Sequence, residues 1–150
     1  MKKKSLSAKK KANNLTLKYL QNPKIKKIYK IFESNLSINN KYSVAVSGGP
    51  DSMALAFLAQ CFSIINNVNI NFYLVNHKLR NESSKEAKDV ISALKKINIK
   101  CKILKWNGKK PTSNIQAIAR MKRYHLLSNQ CIKDKKNNLL LGHHLGDLYE

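Results

Sequence analysis

The stretch Ser43 to Leu58, S-V-A-V-S-G-G-P-D-S-M-A-L-A-F-L, constrains this chain more than any other. A short β-branched run, Ser43 to Val46, leads directly into Ser47-Gly48-Gly49-Pro50-Asp51-Ser52. The segment beginning at Met53 is too long, and too rich in Ala, Leu and Met, to be a second strand. The pattern predicts strand, tight loop and helix. Two adjacent glycines let a ligand approach the backbone without meeting a Cβ, and the amides that open the next helix have no partners within it. Those amides, with about half a positive charge at a helix N-terminus, form an anion site. Asp, Ser and Pro are also ordinary helix-start residues, so a capped turn is the simpler reading of Pro50, Asp51 and Ser52. The loop lacks the Lys of G-x-x-x-x-G-K-[ST] and the third glycine of G-x-G-x-x-G, so neither common nucleotide fingerprint applies.

Around this stretch the chain alternates helix with strand. Ile25, Ile28, Ile31 and Phe32 have helical spacing with Lys on the other face, which predicts a short amphipathic helix ending near Asn35. Met53 to Ile65 is apolar on nearly all sides and reads as a helix buried on a sheet. Ile70 to Val75 is a second strand, and Asn81 to Ile97 a helix with Ala87, Val90, Ile91, Leu94 and Ile97 on one face and a Ser83-x-x-Glu86 capping box. Lys100 to Leu104 is a third strand, a helix runs from Pro111–Asn114 to about Cys131, and Leu139 to Leu141 is a fourth strand. The order β-α-β-α-β-α-β implies an α/β fold, a doubly wound, mostly parallel sheet with helices on both faces.

Ligands of such sheets collect beyond the carboxyl ends of the strands. There the chain places Ser47 to Ser52 after the first strand and Asn76-His77-Lys78-Leu79-Arg80 after the second. Trp106 follows the third strand and His143-His144-Leu145-Gly146-Asp147 the fourth. The chemically able residues gather at one edge.

At 150 residues and 43% hydrophobic content the chain is about one domain long. Its 29 Lys and Arg against 8 Asp and Glu, a net charge of +21, point to a polyanionic partner with nucleic acid as first candidate, although compositional drift toward Lys, Asn and Ile produces the same excess. Only Arg80, Arg120 and Arg123 are arginine, and Arg offers phosphate a planar fork that Lys cannot copy. Cys61, Cys101 and Cys131 are scattered singly, which indicates buried free thiols in a reducing cytoplasm and neither a zinc nor an iron–sulfur site. No apolar run approaches the ~20 residues that cross a bilayer, so no membrane is expected as partner. Residues 1–23 carry lysine clusters with no acidic residue before Glu33. They read as a basic, disordered tail that touches nucleic acid or is merely solvated, ahead of a domain over residues 24–150.

S-G-G-x-D-S resembles the PP-loop of the ATP pyrophosphatases, which cleave ATP between the α- and β-phosphates. V-N-H-K-L-R, N-I-Q-A-I-A-R-M-K-R-Y and L-G-H-H-L-G-D-L-Y-E resemble, in the same order, three further segments of the tRNA(Ile)-lysidine synthetases. The likeness covers about Tyr42 to Glu150 and implies a PP-loop, adenine nucleotide alpha hydrolase-like fold. It also implies a ligase that, with ATP and Mg²⁺, adenylates the C2 oxygen of the wobble cytidine of an isoleucine tRNA with a CAU anticodon. The amine of free lysine then displaces AMP. On this resemblance Ser47, Gly48, Gly49, Pro50 and Ser52 hold phosphate, while Asp51 and Asp147 hold Mg²⁺ or orient the nucleophile. His143 and His144 orient base or phosphate, Arg120 and Arg123 reach a phosphate or the tRNA, and His77 and Arg80 contact substrate. The simpler readings are an N-cap for Asp147, with Glu150 completing a box, locally bonded histidines, surface arginines and a core Tyr124.

Gly146 stands where that family usually shows the first Asp of a pair, and Lys78 where it shows Gly. The ending at Glu150 implies a domain incomplete at its C-terminus, and lysidine is not expected from these residues alone. Two other readings stay open: a PP-loop synthetase or amidotransferase for a small molecule, and a non-catalytic nucleotide- or RNA-binding remnant. Gly48→Ala is expected to weaken ATP binding without unfolding the domain.

Overall fold

The computed structural model describes residues 11–76, 83–106 and 112–142. Four strands, β1 (Tyr42–Val46), β2 (Asn71–Asn76), β3 (Cys101–Lys105) and β4 (Asn138–Leu141), form one sheet in the order β3-β2-β1-β4. All three pairings are parallel, with Ser43 opposite Asn71, Tyr42 opposite Asn138 and Phe72 opposite Cys101. Five helices surround it among the described residues: α1 (residues 11–18), α2 (Pro23–Ser34), α3 (Pro50–Asn66), α4 (Ser83–Lys96) and α5 (Ile115–Lys133). The boundaries agree with those read from periodicity to within a few residues, because buried parallel strands and amphipathic helices leave strong patterns.

The period of two along the strands divides the core. Val44, Val46 and Phe72 pack with Ala56, Ala59 and Phe62 of α3, Leu94 of α4 and Tyr29 of α2 on one face. Tyr73 and Leu104 pack with Leu127 and Cys131 of α5 on the other. Helices therefore cover both faces, as expected of a doubly wound sheet. Strand order moves from β1 outward through β2 to β3, then returns past β1 to β4, so the reversal lies between β1 and β4. Among the described helices none is long and apolar enough to cross a membrane.

The N-terminal region corrects the expected boundary. Residues 11–18 are helical, a 3₁₀ turn follows at Tyr19–Gln21, and Thr16 is fully buried. Its hydroxyl donates to Ala12 O at 3.1 Å or Ile97 O at 3.0 Å, while Asn98 Nδ2 donates to Asn13 Oδ1 at 2.6 Å. Leu17 and Leu20 join the same core as α3. Composition hides this, since the apolar residues that dock α1 are few and spaced among lysines. Asn22 then caps α2, accepting from the amides of Lys24 and Ile25, with Pro23 in the first turn.

At the opposite face a polar knot ties α5 to β2. Tyr73, almost wholly buried, donates its hydroxyl to Asp134 Oδ2 at 2.6 Å, and Asn71 Nδ2 reaches both. The Tyr73 bond holds the Asp134 carboxyl below its ordinary value of 3.8, while burial and that carboxylate push the Tyr73 phenol above 10.0. The lowered group contributes stability that is full above the unfolded carboxylate pKa and disappears as pH falls through the folded one. The raised phenol contributes stability that is lost as pH rises past the unfolded phenol pKa. The expected result is that Tyr73→Phe lowers the urea midpoint most between pH about 5 and about 9, with the gap to the parent closing toward acid. A gap independent of pH would show that the bond does not depend on the carboxylate.

Candidate functional site

The loop after β1 is held together by a serine side chain. Ser52 Oγ accepts from Ser47 N at 3.1 Å and from Gly48 N at 3.2 Å, and shares a bond with Ser47 Oγ at 3.0 Å. Its own proton is placed to reach Gly49 O at 2.9 Å. Ser52 is buried, whereas Ser47, Gly48, Pro50 and Asp51 are exposed. Ser52 thus folds the loop onto the helix, and the amides of Ser47 and Gly48 are turned inward to it. The helix itself starts with Gly49 as N-cap and Pro50 in the first turn, and its first intrahelical bond is Met53 N to Gly49 O at 3.0 Å. The amides of Asp51 and Ser52 precede that bond and sit at the positive end of a 17-residue helix.

Two close approaches, at Gly48 and Gly142, fix the loop. Gly48 has φ +94°, a left-handed conformation, and a Cβ there would lie 2.6 Å from Val90 Cγ2 of α4. At Gly49 a Cβ would meet only Ser47 Oγ at 3.6 Å, so the backbone there is open to solvent or ligand. Gly142, directly after β4, would place a Cβ 2.8 Å from Ser52 N and Cα and 3.0 Å from Asp51 C. The end of β4 thus lies against the backbone that opens α3. This corrects the expectation for Gly48→Ala: what its Cβ strikes is the protein's own helix α4.

Beside the loop lies a cleft of about 340 Å³ at the carboxyl ends of β1, β2 and β4. Apolar atoms of Val46, Leu74, Ala87, Val90, Leu127 and Leu141 wall it, and Ser47, Ser52, Asn76, Ser83, Glu86 and Arg123 supply polar groups. Arg123 is half-buried, with its guanidinium 5.8 Å from the ring of the half-buried Tyr124. Arg120, one turn earlier on α5, is exposed and does not line the cleft, so the two arginines do not converge there. His77, Arg80, His143, His144 and Asp147 lie outside the described residues. Asn76 and Gly142, the described sequence neighbours of His77 and His143, both line the cleft. Ser83 and Glu86, read as a capping box, line it too, and so does Val90; the sequence reading assigned none of these to the site. Gly142 was also missed, though a glycine directly after the apolar run Leu139–Leu141 is a sign of close backbone approach.

The family model for a PP-loop domain matches residues 20–150. The chain belongs to the PP-loop domain family. Curated PP-loop relatives include tRNA(Ile)-lysidine synthase of Orientia tsutsugamushi, 41% identical over 112 residues, covering 75% of this chain and 25% of the relative. That of Wolbachia pipientis wMel is 39% identical over 122 residues, covering 80% and 28%, and that of Rickettsia akari 36% over 129 residues, covering 82% and 30%. The chain thus spans 25 to 30% of the length of these relatives. Among solved structures the U34-tRNA thiolase NcsA from Methanococcus maripaludis, determined with its [4Fe-4S] cluster, superposes with a TM-score of 0.72 at 22% identity. The match covers 84% of this chain and 48% of the thiolase, which extends the PP-loop reading to the three-dimensional fold.

Proposed function

We propose that this chain supplies the ATP-binding, adenylating centre for lysidine formation on a CAU-anticodon isoleucine tRNA. The observation that carries the reading is the Ser52-organised loop, opening at the carboxyl edge of the sheet beside an Arg123-bearing cleft. The names of the 36 to 41% identical relatives support lysidine chemistry over another PP-loop substrate. In this reaction the C2 oxygen of the wobble cytidine attacks the α-phosphorus of ATP and pyrophosphate leaves. The ε-amine of lysine then adds at C2, loses a proton and expels AMP.

The amides of Asp51 and Ser52 and the open backbone at Gly49 meet the phosphates with electrostatics set before the reaction begins. Arg123 offers a planar fork to the phosphate or to the tRNA backbone. The apolar walls from Val46 to Leu141 lower the local dielectric and so strengthen the charge interactions made beside them. Mg²⁺ is commonly held by one or two carboxylates together with phosphate oxygens and water, and Asp51, exposed on the first turn of α3, fits such a part. When bound, the ion neutralises charge on the departing pyrophosphate. His143, His144 and Asp147 belong to the same proposal as groups that orient the cytidine, lysine or Mg²⁺, and His77 and Arg80 as substrate contacts.

The test is a chimera in which residues 20–150 replace the matching segment of the Orientia tsutsugamushi relative. It is expected to incorporate labelled lysine into a CAU-anticodon isoleucine tRNA transcript in the presence of ATP. Arg123→Gln is expected to lower kcat/KM by about 100-fold. A folded chimera that consumes ATP without labelling tRNA would overturn the reading in favour of a small-molecule PP-loop reaction.

A further inference from the structure

The helices before the PP-loop motif carry a surface that the adenylating centre does not use. Residues 11–32 contain six lysines and no acidic residue, and Glu33, the first carboxylate, is engaged with Lys30 Nζ and the Tyr29 hydroxyl. The described part of α1 starts at the edge where the strands start, since Asn13 bonds Asn98 and Thr16 bonds the Ile97 carbonyl, both just before β3. It climbs to Tyr19, whose ring meets Phe57 in the first half of α3, edge-on at 5.9 Å. After the turn, α2 descends beside α3 to the start of β1, with Tyr29 reached by Asn66 at the far end of α3. The tip of this hairpin, Lys18 to Lys27, therefore points toward the edge of the sheet that carries the PP-loop.

On that tip Lys18, Lys24 and Lys27 are exposed, and Tyr19 is 54% exposed between them. Lys24 and Lys27 lie three apart, on the side of α2 away from buried Tyr29. We infer that the tip of the α1–α2 hairpin is an RNA-contact surface, which rests on the tRNA reading above and extends it beyond the reaction centre. RNA is the occupant whose chemistry matches. Its phosphates spread negative charge along a path that separate lysines can follow, and its unstacked bases have faces on which an exposed tyrosine stacks. The site of adenylation at the same edge brings a nucleotide strand within reach.

The experiment measures binding of a CAU-anticodon isoleucine tRNA transcript as a function of salt, together with calorimetric ATP binding. In the triple variant Lys18→Gln, Lys24→Gln and Lys27→Gln, the slope of log affinity against log salt is expected to fall by about 0.7 to 0.9 per lysine, with ATP affinity unchanged. A control triple, Lys95→Gln, Lys100→Gln and Lys133→Gln, removes the same charge from exposed positions at the other edge and is expected to change the slope little. Equal effects of both triples would mean that binding follows net charge alone, and would overturn the inference. No effect of the tip triple, or tighter binding of the parent to anionic vesicles than to tRNA, would overturn it as well. Failure of the parent to bind tRNA at all would sink the function proposed above along with it.

Discussion

Gly142→Ala is expected to cost stability at the upper end of the ~1–3 kcal/mol typical of overpacking, and to abolish measurable ATP binding. The reason is what the new methyl meets. Backbone atoms of Ser52 lie 2.8 Å from the ideal Cβ position and the Asp51 carbonyl carbon lies 3.0 Å from it. A side chain in the way can change rotamer, but the first turn of a helix moves only as a body. Either β4 leaves its register with β1 or the start of α3 shifts outward. In the second case Ser52 Oγ moves with it, and the 3.0 to 3.2 Å bonds that gather Ser47 and Gly48 lengthen beyond useful geometry. Urea unfolding and calorimetry together read both effects. A variant with the parent's midpoint and the parent's ATP affinity would show that this contact has no such role.

The contrast between Gly142 and Gly48 also shows how far the sequence can be read. The order of elements was legible because parallel strands buried on both faces give apolar runs, and because α4 keeps a strict i, i+3, i+4 stripe from Ala87 to Leu94. The PP-loop was legible as a motif of six adjacent residues. Contacts between segments distant in the chain were not. Gly142 touching Ser52, and Val90 closing on Gly48, are products of the strand order, and no local pattern records them. The same limit explains the two arginines. Spacing put Arg120 and Arg123 on one helical side, yet only Arg123, one turn before the buried Leu127, lines the cleft. Thr16 illustrates the remaining miss: its burial depends on a hydrogen bond to a carbonyl 81 residues away, while its neighbourhood reads as a solvated basic segment.

Gly48→Ala is expected to be destabilising for two separable reasons. An Ala held at φ +94° is strained by roughly 1–2 kcal/mol, and the contact of its Cβ with Val90 Cγ2 at 2.6 Å adds overpacking of about 1–3 kcal/mol. Val90→Ala removes the second cause and leaves the first, so a double-mutant cycle distinguishes them. In the Val90→Ala background, Gly48→Ala should cost only the backbone strain. ATP affinity should stay low in both backgrounds, because strain at residue 48 pulls its amide away from Ser52 Oγ whether or not Val90 has been shortened. Gly49→Ala serves as the matched control, since a Cβ there meets only Ser47 Oγ at 3.6 Å. It should leave the urea midpoint close to the parent's and weaken ATP alone, by blocking the approach of phosphate to the backbone. Equal costs for Gly48→Ala in the two backgrounds would show that α4 gives way to the new methyl, and that backbone conformation alone makes glycine necessary at that position.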